Sequence, residues 1–163
     1  MDKGIDFLKS QVSNAVMQHK AFVDSLTAHA DQAEDERFAA LCSKYMPRMM
    51  QHQRMLEQYQ QTLGAEAGTA KKVVGRILEA GKDVVDSARE SDFLRLVGDI
   101  VMARQSEDTF KTFREAGRQL GIQELAKIGE TGEREHDDYV AEANRLVQAL
   151  FVEHVQVGAA VAR

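Results

Sequence analysis

Proline is almost missing from this chain: Pro47 stands alone, tryptophan is absent, and Cys42 is the only cysteine. So little proline leaves few internal breaks and permits long helices. A single cysteine rules out a disulfide framework within the chain and gives the expectation of a reducing, cytoplasmic setting. No stretch approaches ~18 continuous apolar residues, so no membrane-spanning helix is expected. The opening Met1-Asp2-Lys3-Gly4 leads straight into a polar amphipathic pattern, and no secretory leader is read there. A basic excess is also lacking. The formal net charge is −5, with lysine and arginine spread along the sequence, which argues against nucleic acid as a partner. Neither a phosphate-binding glycine loop nor a serine elbow occurs, and Cys42 has no adjacent base, so a hydrolase or transferase is not supported.

What is present is a helix-forming inventory rich in alanine, glutamate, glutamine, leucine and arginine. The 163 residues, 44% hydrophobic and 29% charged, suit one folded domain. From about residue 5 to 31, Ile5, Leu8, Val12, Val16, Phe22, Val23, Leu26 and Ala30 recur at helical spacing. His19 lies on that stripe, either as a hydrogen-bonded core histidine or as a ligand. The acidic residues 31–36 read as a tight turn, with Asp31 and Glu34 or Asp35 alone as the next cap. A second helix over about 36–63 carries Phe38, Leu41, Cys42, Tyr45, Met49, Leu56, Tyr59 and Leu63, with His52 on the stripe. Pro47 is expected to kink it or end it locally. The methionines around it follow the helical spacing and read as core filling, not as a soft-metal site.

Residues 70–88 form a shorter amphipathic pattern suited to a crossover between two helix pairs. A third long helix over about 92–120 has its stripe at Leu96, Ile100, Ala103, Glu107, Phe110, Phe113, Gly117 and Leu120. Glu107 occupies an apolar position, so either the helix turns it toward water or something compensates its charge. The fourth helix, about 122–157, contains Gly129-Glu130-Thr131-Gly132-Glu133-Arg134-Glu135-His136. Glu133 and His136 lie one turn apart on one side. Reflection through a turn near residue 121 sets Glu107 level with residue 135. The first hairpin likewise brings His19 and His52 within about a turn of each other. Gly129 and Gly132 each cost roughly 1 kcal/mol inside a helix. They imply close helix approach or room for a ligand.

The reading is therefore all-α: two antiparallel helix hairpins joined by a crossover segment containing a short helix. With Glu133-x-x-His136, this pattern resembles the ferritin-like superfamily, and within it the YciF/YciE-type branch of small bacterial stress proteins. Met17-Gln18-His19-Lys20 sits where that branch has Asp-Ala-Glu-Lys. His52 with Leu56-Glu57 matches its His-x-x-x-Leu-Glu run, but Arg48 and Met49 stand where a glutamate is expected. The resemblance implies a four-helix bundle with a metal at its core, a stress-protective role and a homo-oligomer, most simply a dimer. The candidate metal ligands are His19, His52, Glu107, Glu133 and His136. They include too few acids for two divalent ions and suit one ion of iron, manganese or zinc. The alternative is a bundle that has lost its metal and serves as a dimerising or partner-binding protein.

Overall fold

The computed structural model describes residues 3–65 and 91–161, with side chains to residue 158. The expected crossover helix over 70–88 lies outside the described residues. Those described are all-helical, with four helices: α1 (Lys3–Gln32), α2 (Glu36–Thr62), α3 (Asp92–Leu120) and α4 (Gln123–Val161). None is long and apolar enough to cross a membrane.

Local chemistry sets each boundary. Asp35 ends the tight turn and caps α2, its carboxylate accepting from the backbone N–H groups of Arg37 and Phe38. Ser91 caps α3 by accepting from Leu94 N–H at 3.3 Å. Gly121, at φ +70°, adopts the left-handed turn that stops α3, and Ile122 N–H donates to Gly117 O at 2.8 Å. Pro47 does not end α2. It lies on the solvent face of an unbroken helix, where the carbonyl one turn back, left without its helical donor, can turn to water.

Two contacts set the topology. Asp35 N–H donates to Asp92 Oδ2 at 2.6 Å, so α3 begins beside the α1–α2 turn. Arg37 forks onto Glu153, with both bonds at 2.8 Å, bringing the far part of α4 to the same end. Hence α2 and α3 run parallel, and every packed pair (α1–α2, α3–α4, α1–α3 and α2–α4) is antiparallel. Along α3 and α4 the backbones nearly touch. A Cβ on Gly117 would collide with Ala126, one on Gly129 with the backbone of Arg114 and Phe110, and one on Gly132 with the Phe110 ring.

The interior is two apolar clusters. One gathers Phe22, Leu26, Phe38, Tyr45, Met49, Leu96, Ala103 and Tyr139; the other gathers Val12, Ala15, Leu56, Tyr59, Phe110, Leu125 and Ile128. Each fully buried large side chain contributes about 1.5–3 kcal/mol of transfer free energy. Between the clusters in sequence, every helix turns polar side chains inward: His19 on α1, His52 and Gln53 on α2, Ser106 on α3 and His136 on α4. The third helix differs here from its sequence reading. Ser106 is 3% exposed while Glu107 is half-buried, because the helical repeat from Ala103 to Phe110 passes through 106.

Candidate metal centre

His19, His52 and His136 reach the interior from three helices and are 1%, 2% and 0% exposed. Their ring centroids are 5.1 Å (His19–His136), 5.7 Å (His52–His136) and 6.4 Å (His19–His52) apart. Phe110, from α3, lies 5.0–5.7 Å from all three rings. Gly132 is what lets it sit there, since the Phe110 ring fills the place of the missing Cβ.

One nitrogen of each ring is held by an acceptor. His136 Nδ1 donates to Gly132 O at 2.7 Å, one turn back along its own helix. His52 Nε2 faces Glu135 Oε2 at 2.7 Å. His19 Nδ1 donates to Gln53 Oε1 at 2.9 Å. The orientation of that amide is fixed independently, because Gln53 Nε2 donates both to Val16 O at 3.1 Å and to Glu57 Oε1 at 2.8 Å. In the neutral form of each ring the hydrogen therefore sits on the bonded nitrogen, leaving the other as a bare lone pair. Those second nitrogens, His19 Nε2, His52 Nδ1 and His136 Nε2, are buried and without a hydrogen-bond partner. Burial and the neighbouring His52 lower the His19 pKa to about 4, and burial with His19 beside it holds His136 well below the usual histidine range. Both rings are neutral at pH 7, the form in which imidazole binds a metal.

The sequence candidates thus divide. The three histidines come together; the two glutamates do not join them. Glu133 pairs with Arg114. Glu107 lies half-buried on α3, and its pKa is raised by burial first and then by Asp137 of α4. Among the described residues no group of three His, Cys, Asp or Glu side chains stands ready to hold an ion as folded. Glu135 and Gln53 were not picked out from sequence as partners of the histidines. Gln53 had one usable signal, in that it adjoins a stripe histidine on the same helix.

A second buried polar cluster was missed entirely. Asp99, 0% exposed, accepts from Ser25 Oγ at 2.6 Å and pairs with His29 Nδ1 at 2.8 Å, joining α3 to α1. Burial raises the Asp99 pKa, opposed by His29 and then Ser25. Comparison with known proteins finds no matching family, no similar characterised protein and no similar solved structure.

Proposed function

We propose that this chain is a metal-binding helical bundle whose centre is one divalent ion held by His19, His52 and His136. The observation that carries the reading is the set of three buried, unpartnered imidazole nitrogens, one on each ring. A buried polar atom without a partner costs about 1–3 kcal/mol, and a shared cation would relieve all three at once. The spacing is compatible. Three imidazoles on an ion at zinc–nitrogen distances of about 2.0–2.1 Å have ring centroids about 5.2 Å apart at tetrahedral angles. The separations here, 5.1–6.4 Å, require His52 to draw inward by about an ångström.

The outer contacts suit the same role. Metal-bound histidines are commonly oriented by a carboxylate or backbone carbonyl on the other nitrogen. Glu135 and Gly132 supply one of each, and Gln53 a side-chain carbonyl. Three neutral nitrogen donors favour zinc or ferrous iron over manganese, which prefers oxygen. When bound, the ion would supply Lewis acidity; the chain holds three donors from three helices, fixes their tautomers and surrounds them with Phe22 and Phe110. The parallel course of α2 and α3 suits a ferritin-like topology. A stress-protective role and assembly as a dimer belong to that proposal.

The second reading is a metal-free bundle that binds itself or a partner. It is favoured by the position of Glu133, neutralised by Arg114 outside the histidine layer. Elemental analysis of tag-free protein, with thermal unfolding before and after zinc or ferrous iron is added, separates the two. One ion per chain and a raised Tm support the metal centre. No metal above trace and an unmoved Tm support the metal-free bundle.

A further inference from the structure

At one end of the bundle Asp35 N–H meets Asp92 and Arg37 forks onto Glu153. The last helix does not stop at that level. α4 runs on to Val161, eight residues or about 12 Å past Glu153. From Phe151 to Gly158 every residue is exposed, and Phe151, Val152, Val155 and Val157 are 52–67% exposed. Valines and a glycine are weak helix formers, and a short free helical end is marginal in water. At the base of this extension α3 also turns Leu94 and Val101 outward. Between the two helices lies an apolar groove of about 370 Å³, lined by Phe93, Val97, Val147, Gln148, Phe151 and Val152. A second hollow of about 290 Å³, bordered by Ser91, Phe93, Phe151, His154 and Val155, adjoins it. Over residues 147–158 the only carboxylate is Glu153, which Arg37 already holds, and His154 Nδ1 donates to Leu150 O at 2.7 Å. A patch so poor in charge has the composition of an interface core.

Resting on the dimeric reading of the chain, we propose that the occupant of this groove is a second copy, the extension of each α4 lying in the Phe93–Phe151 groove of the other. Three observations point to a copy of the same chain. The groove follows α4 from Val147 to Val155, about 12 Å, which is the length of the extension. Groove and extension are adjoining parts of one surface, so a single two-fold axis fills both grooves at once. Two chains of net charge −5 repel one another, and this face brings no unpaired carboxylate of residues 147–158 into the contact. The area is also sufficient. The six exposed apolar side chains present on the order of 500 Å², at the upper end of what a monomer leaves bare. Two copies together would cover on the order of 1,000 Å², the threshold for a specific pairing.

Sedimentation equilibrium of the full chain reads the assembly. Native protein is expected at twice the chain mass. Val155→Glu combined with Val157→Glu should weaken association at least about 30-fold, the effect of losing an interface hot spot. Circular dichroism should report an intact helical fold, because both side chains are exposed and outside the core. Val97→Lys added to Val157→Glu places a cation in the groove that receives the other copy's carboxylate, and should recover dimer relative to Val157→Glu alone. A monomeric native chain overturns the proposal and hands the groove to another segment or a different protein. A dimer that survives both glutamates overturns this face as the interface. A dimer lost to Val157→Glu and not recovered by Val97→Lys overturns the seating of extension in groove. The metal centre is read separately, since His136 lies roughly 28 Å from Val155 along α4. Zinc stoichiometry should be equal in the native protein and the double glutamate variant, so a monomer that still binds one zinc sinks the dimer alone.

Discussion

His29 and His136 are both buried on inward faces of long helices, yet their surroundings are opposite in kind. His29 meets Asp99, which also takes the Ser25 hydroxyl, and none of these three is among the buried groups left without a partner. His136 shares a layer with His19 and His52 in which every ring keeps one nitrogen unpartnered. Burial of a histidine is therefore no pointer to function by itself. A satisfied cluster is a fastening between α1 and α3. Three buried rings in one layer, each with a nitrogen left without a partner, are the observation on which the proposed metal centre rests. Glu135 sharpens the contrast: the carboxylate in the histidine layer orients a ring from outside, whereas Asp99 is the buried partner of its cluster.

The contrast can be broken at its closed end first. Asp99→Ala removes the partner of His29 and is expected to cost about 3–5 kcal/mol, as loss of one member of a buried pair does. Urea unfolding reads it, and a change below 1 kcal/mol would mean the cluster fastens nothing. Acid should act on the open end instead. In metal-free protein His19 has its pKa lowered from 6.5 to about 4 by burial, so the unfolded chain binds a proton that the folded chain refuses. Stability is then full above pH 6.5 and is lost as pH falls toward 4, by roughly 3 kcal/mol for this residue. The same direction holds for His136. His19→Leu should flatten that slope; an unchanged slope would place the titrating group elsewhere.

Gly132→Ala forces a methyl into the Phe110 ring and should cost about 1–3 kcal/mol, with weaker metal binding because Phe110 packs on all three histidines. Glu135→Gln weakens the orientation of His52 and is expected to lower metal affinity about 10–100-fold, measured by competition with a chromophoric chelator. Glu133→Gln lies at the small end. It loses the Arg114 pair and should leave metal affinity within about twofold, since a partly exposed ion pair contributes little and touches no ligand. Equal losses from the two glutamate variants would erase the distinction drawn between them.

The four helices were legible because apolar residues recur at helical spacing and because Asp35 and Gly121 mark their ends by mechanisms that need no tertiary context. His19, His52 and His136 were legible as polar residues on those stripes; reflection through the first turn set His19 within about a turn of His52, and reflection through the second set His136 near the height of Glu107. Glu107 shows where such arithmetic fails. A shift of one residue turns a helix by about 100°, and that difference hands the inward place to Ser106. Asp99 and His29 had a signal that went unread: Asp99 follows Leu96 by three, and His29 follows Leu26 by three, both at core spacing. Which nitrogen of His19 and His52 would be engaged could not be seen in sequence, because Gln53 and Glu135 reach their partners across helices.

The central claim is most directly tested by titrating chelator-stripped, tag-free protein with zinc in a calorimeter, alongside His136→Leu. The account predicts one saturable site per chain in the native protein and none in the variant, with both proteins folded. Saturable binding that survives His136→Leu, or no saturable binding in the native chain, would contradict it.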